Sequence, residues 1–177
     1  TSLLDEANEA VIEMKGIGRG RLRIGAVSAA QYFIPRIVAE FSKVHPRIEI
    51  ELFISNRAQT LAELAGFKLD IAVMGRPPEL SGCDHQIFGE HPHVIIAAHD
   101  HRLGQKRRIP LDSLKDETFI IREPGSGTRL LMERTFAMAK FTPRASMEFT
   151  SIETIKQAVI AGLGVAFVSA HTVAGEL

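Results

Sequence analysis

Three stretches of the chain put hydroxyl side chains, and in one case glycines, where a helix is expected to begin. They are Ser28-Ala29-Ala30, Pro124-Gly125-Ser126-Gly127-Thr128-Arg129 and Thr150-Ser151-Ile152-Glu153. The first turn of a helix has backbone N–H groups without intrahelical partners and carries the positive end of the helix dipole, so the chemistry such junctions offer is anion binding. Glycine at 125 and 127 would let the backbone approach a ligand closely. Each junction also reads as an ordinary cap: Ser28 as an N-cap, and Thr150 with Glu153 as a capping box. Gly-Ser-Gly before a helix is more than a cap requires, so anion contact is expected there. The loop lacks the Gly-Lys-Ser/Thr ending of a nucleotide-hydrolysing P-loop.

Arginines at strand ends could supply the matching charge. Arg76 and Arg122 could each take a carboxylate or phosphate in a bidentate grip, or could equally be solvated surface groups. Arg129 could instead pair with Glu133 at i,i+4. The pairs His91-x-His93 and His99-x-His101 would share a strand face, but no third ligand stands at suitable spacing, and no metal is expected. No Gly-x-Ser-x-Gly or His-Glu-x-x-His motif occurs, and nothing pairs Glu148 with Glu153 as acid and base, so the chain is not expected to be an enzyme. Cys83, the single cysteine, cannot form an internal disulfide, which fits a reducing compartment, and is read as an inert small side chain.

The elements that must hold these residues follow from periodicity. Residues 2–15 read as an amphipathic helix, and the glycines at 16, 18 and 20 as a hinge after it, the opposite order to a dinucleotide fingerprint. Strands are expected at 22–27, 48–54, 69–74, 86–89, 94–98, 117–122, 144–149 and 165–168. Helices are expected after Ser28, with Phe33, Ile34, Ile37, Val38, Phe41 and Val44 on one face and Pro35 in the first turn. Others are expected around Leu61 and Leu64, at 127–140, and at 151–161 with Ile152, Ile155, Val159 and Ile160 inward; Pro110 to Leu114 reads as a helical turn. The alternation predicts parallel crossovers with helices on both sheet faces, in two small α/β lobes.

The 177 residues suffice for one domain or two small lobes, with 45% apolar and 24% charged residues. The net charge of zero argues against nucleic-acid binding by this stretch itself. No run approaches a membrane span, and the first fifteen residues have no signal-peptide core. The helical pattern is already under way at residue 2, which suggests that sequence precedes it.

The motifs Gly20-Arg-Leu-Arg-Ile-Gly25, Ile34-Pro35 with Phe41 before His45-Pro46, Leu69-Asp70-Ile-Ala-Val73, Ala98-His-Asp-His-Arg-Leu103 and Ala161-Gly-Leu-Gly-Val165 resemble, in order and across nearly the whole chain, the effector domains of LysR-type transcription regulators; Arg102 stands where proline is usual. Met74-Gly-Arg-Pro-Pro-Glu79, Arg122-Glu-Pro-Gly-Ser-Gly-Thr-Arg129 and Ser169-Ala-His-Thr-Val173 are similar to the Calvin-cycle branch, the regulators of RuBisCO operons; a sulfur-metabolism branch shares Gly-Ser-Gly-Thr-Arg.

The resemblance implies a type 2 periplasmic-binding-protein-like α/β fold with two lobes and an inter-lobe cleft. Residues 1–20 would end a linker helix and hinge, 21–91 with 165–177 would form the first lobe, and 92–164 the second. A winged helix-turn-helix would precede residue 1, and more of the first lobe would follow Leu177. The resemblance further implies a cytoplasmic homodimer or homotetramer that acts on promoter DNA and RNA polymerase, with no membrane association. The effector would be a phosphorylated or nucleotide metabolite such as NADPH, phosphoenolpyruvate or ribulose bisphosphate. Its contacts would fall at Ser28, Ala29 and Ala30, near Gln59 and Thr60, at Arg122, Glu123, Gly125, Ser126, Gly127, Thr128 and Arg129, and at Thr150, Ser151 and Ile152; Arg76 is added from its place at a strand end. A solute-binding protein of a transporter, with the same fold, is the alternative.

Overall fold

The computed structural model describes residues 19–78, 82–104, 106 and 108–175. The expected helix at 2–15 and most of the glycine hinge lie outside the described residues. By its contacts the chain forms two compact units. One takes the chain up to Ser55 with Gln59–Val73; the other takes Asn56–Ala58 and the chain from Met74 onward.

The first unit begins with β1 (Gly20–Val27), a single 3-10 stretch (Ser28–Tyr32) and α1 (Ile34–Val44). It continues with β2 (Ile48–Ser55), α2 (Arg57–Ala65, of which Gln59 onward belongs to this unit) and β3 (Ile71–Val73). Pro35 sits at the start of α1, where its missing N–H removes no helical bond. The sheet order is β2-β1-β3, all parallel, with Ile24 level with Leu52 and Ile71. Ala26, Ala30 and Ile34 form its core with Val27, Phe33, Val38, Leu52 and Val73 packed around them. Two expected core positions of α1, Ile37 and Val44, are exposed instead. Leu69 is buried but precedes the strand proper; it fills the space over Gly25, which has no room for a side chain. Asp70 then accepts from the Arg23 backbone N–H (2.8 Å) and guanidinium (2.9 Å), tying the start of β3 to β1. The Arg23 guanidinium holds the Asp70 carboxyl below its usual range.

The second unit contains β4 (His93–Ile96), β5 (Thr118–Arg122), α3 (Gly127–Met138), β6 (Arg144–Phe149), α4 (Ile152–Ile160) and β7 (Val165–Ser169). Its sheet order is β4-β7-β5-β6, with β4 antiparallel to β7 and β5 parallel to both neighbours. Residues 165–177 were expected in the first lobe. Instead β7 sits inside the second sheet, because Val165, Ala166 and Val168 are wholly buried on both faces between β4 and β5. Met74 onward also goes with this unit, well before the expected crossing near residue 91. Successive strand residues face opposite ways. Phe119 joins Met132, Phe136 and Phe141 on one side; Ile120 joins Ile155, Val159 and Val168 on the other. Helices therefore cover both faces, as the alternation predicts. The expected strand at 86–89 does not form, and Ile87 stays 87% exposed; Ile160, expected inward, faces out.

His91 and His93 do not line up as a ligand pair. Their rings pack at 4.5 Å, and His171, remote in sequence, stacks on His91 at 5.8 Å. His93 Nδ1 donates to the His91 carbonyl, and His171 Nε2 to the Glu90 carbonyl. Among the described residues no three side chains are grouped to hold a metal. His101 instead joins Arg102 on Glu117.

Burial first, then the charge of neighbouring histidines, lowers the pKa of His91, and that of His93 to about 4. The unfolded chain takes up these protons near 6.5, whereas folded His93 does so only near 4. Between those values the unfolded state binds more protons, so stability is complete above about 6.5 and falls as pH drops toward 4. Thermal midpoints measured from pH 7 to 4.5 are expected to fall less steeply in His93→Gln than in the native chain.

Candidate functional site

Parallel strands deliver their carboxyl ends to one edge of a sheet, and that edge carries the junction residues in each unit. In the first unit, Val27 of β1 is level with Ser55 of β2. Ser28 Oγ donates to the Ser55 carbonyl (3.3 Å), and Ser55 Oγ shares a 2.7 Å hydrogen bond with Thr60 Oγ1. Ser28 and Thr60 are thus brought together through Ser55, which the sequence reading did not include. Ala29, Ala30 and Thr60 are buried; Gln59 is exposed and reaches Glu63.

In the second unit, Arg122 of β5 is level with Phe149 of β6, so the 122–129 and 150–152 junctions share an edge. The chain turns at Pro124–Gly125, where Gly125 takes φ +87°, the left-handed region that a Cβ disfavours. Ser126 caps α3, its Oγ accepting from the Arg129 N–H (3.5 Å). At α4 the cap is Ser151, accepting from the Thr154 N–H, rather than Thr150. Glu153 pairs with Lys156 at i,i+3 (2.8 Å). Ile152 puts its side chain in the core and leaves only its backbone for a ligand.

The arginines differ sharply. Arg122 is 4% exposed and grips Glu123 through Nε (2.7 Å) and Nη2 (2.9 Å). Arg129 pairs with Glu133 (2.8 Å), as its i,i+4 spacing allowed, and with Glu148 (2.6 Å), and donates to the Arg122 carbonyl. Hydrogen bonds to Glu133 and Glu148 raise its pKa further. Arg76 lies three residues beyond β3, exposed, its carbonyl accepting from Arg57.

Asn56–Ala58 packs against the 124–127 turn. The Ala58 N–H donates to the Gly125 carbonyl (3.1 Å). A Cβ at Gly125 would stand 3.0 Å from that of Ala58, and one at Gly127 would stand 3.2 Å from Arg57 Cδ. Here lies a cavity of about 330 Å³, lined by Arg57, Ala58, Pro124, Gly125, Ser126, Arg129, Leu130 and Glu133. The volume suits a small metabolite. The sequence reading found the glycine loop but missed Arg57 and Ala58, which lie 66 or more residues upstream and carry no motif.

The family of LysR substrate binding domains matches residues 15–177. The chain belongs to this family. The CbbR transcriptional regulator of Xanthobacter flavus is 46% identical to it over 98% of the chain and 53% of that protein's length. The RuBisCO operon transcriptional regulator of Allochromatium vinosum is 41% identical over 98% and 58%. The regulatory domain of CcmR from Synechocystis PCC6803, solved with 2-PG, is 39% identical with a TM-score of 0.83, over 88% of this chain and 74% of that one. The chain spans about half the length of these curated relatives. The LysR domain takes the periplasmic-binding-protein-like α/β fold expected from the sequence. No helix among the described residues is long and apolar enough to cross a membrane.

Gly125→Ala is expected to destabilise the chain by about 1–2 kcal/mol, since it forces a Cβ into the left-handed region and against Ala58. Urea unfolding measures this, with Gly175→Ala, where a Cβ meets nothing, as the control.

Proposed function

We propose that the chain is the ligand-sensing part of a LysR-type transcription regulator of carbon-fixation genes, and that its effector is a small phosphorylated anion. The observation that carries this is the cavity at the amino end of α3, where Gly125 and Ser126 bring backbone and hydroxyl groups beside arginine. The 2-PG bound to the Synechocystis CcmR domain, itself a small phosphorylated acid, supports the choice of ligand class. The names of the relatives support the choice of target genes.

The expected contacts are Gly125, Ser126, Gly127 and Thr128 by backbone and hydroxyl, with Thr150 and Ser151 on the neighbouring junction. Ser28, Gln59 and Thr60 form the corresponding candidate set of the first unit. The whole protein would act as a cytoplasmic homodimer or homotetramer on promoter DNA and RNA polymerase. The chain would bind without turnover, and the ligand would shift the regulator's conformational equilibrium only by its difference in affinity for two states.

Calorimetric titration with 2-phosphoglycolate, phosphoenolpyruvate, ribulose bisphosphate and NADPH tests this. At least one is expected to bind and to be recovered unchanged, and Ser126→Ala to weaken it by about tenfold, the worth of one charge-assisted hydrogen bond. Binding of none of the four would sink the reading.

A further inference from the structure

The sequence places the charge that recognises an anion on Arg76, Arg122 or Arg129, but ion pairing in the structure points elsewhere. Arg122 is buried and committed to Glu123 through two hydrogen bonds. Arg129 lines the cavity but is held by Glu133 and Glu148. An anion drawn to either must compete with carboxylates already in contact. Arg57 lines the same cavity and forms no ion pair among the described residues. Its Nη2 donates to the Arg76 carbonyl at 3.3 Å. A guanidinium has five N–H donors, so one such bond leaves most of them for a ligand.

Arg57 is also held in place. Gly127 lies against its hydrocarbon stem: a Cβ at that glycine would stand 3.2 Å from Arg57 Cδ and 3.5 Å from its Cβ. A stem packed this way loses less freedom when the head engages a ligand. The glycine opens α3, so the guanidinium and the helix's amino end border one cavity. Planar guanidinium donors match two oxygens of a phosphate.

We propose that Arg57 is the charge-recognition residue of this cavity, gripping the phosphate of a small phosphorylated acid, and that Arg122 and Arg129 position the loop without touching the ligand. This rests on the effector-binding role proposed above.

The test is calorimetry on the 177-residue chain with 2-phosphoglycolate as the probe and glycolate, which lacks the phosphate, as the comparison. The native chain is expected to bind the former and to discriminate strongly against the latter. Arg57→Gln is expected to lose about tenfold to a hundredfold of affinity for the phosphorylated probe and most of that discrimination. Arg57→Lys, which keeps the charge but not the fork, should fall between the two. Thermal midpoints of both variants are expected to match the native chain; an unfolded Arg57→Gln would leave the comparison to Arg57→Lys. Native-like affinity in a folded Arg57 variant overturns the assignment while leaving the effector role standing. Failure of the native chain to bind 2-phosphoglycolate, phosphoenolpyruvate or ribulose bisphosphate overturns the phosphorylated-effector reading and this inference with it.

Discussion

Two backbone segments can come as close as 56–58 and 124–127 do only where side chains leave room. The Ala58 N–H bond to the Gly125 carbonyl sets the spacing, and two glycines allow it. With a Cβ at 125 the turn would have to leave the left-handed region or push Ala58 aside. Either movement shifts Ser126, the cap of α3, and so the direction in which the first N–H groups of that helix point. The cavity is therefore a product of backbone approach more than of any one functional side chain.

Charge in the second unit is distributed in layers. Closest to the sheet, Arg122 and Glu123 neutralise each other out of solvent. Removing one partner of a buried pair leaves the other uncompensated, which costs more than the pair contributes. Above it, Arg129 links α3 to β6 through Glu148 and pairs with Glu133 on its own helix, contacts that solvent partly screens. The arginine of the conspicuous Gly-Ser-Gly-Thr-Arg motif is thus held by carboxylates, whereas Arg57 of α2 has no ion pair among the described residues.

Much of this was legible in the sequence, and the gaps have physical causes. Alternation at 48–54 and the expected strand at 117–122, with Phe119, Ile120 and Ile121 at its centre, marked real strands. The glycine loop was legible because strand, turn glycine, cap and helix follow one another without interruption. Arg57 was not, because what makes it notable is a contact with residues far along the chain and the lack of an ion pair to it among the described residues. Arg122 looked available for the same reason: sequence shows a strand-end arginine but not that its neighbour Glu123 folds back on it. The strand expected at 86–89 had suitable residues but pairs with no strand among the described residues, and a strand without a neighbour has no ladder to stabilise it. The three histidines around His91 were half visible, as a pair; the third is supplied by the segment after β7.

The placement of β7 has a consequence for how the chain is made. Its residues come last among the described strands, yet they lie between β4 and β5 in the sheet. On the ribosome, β4 therefore waits for β7, its sheet neighbour among the described residues, until residue 169 has emerged, while β1, β2 and β3 are all available by residue 73. Late, long-range pairing of this kind slows folding and leaves an open edge exposed during synthesis. Translation pauses or truncations upstream of Val165 thus withhold the strand that, among the described residues, joins β4 to β5.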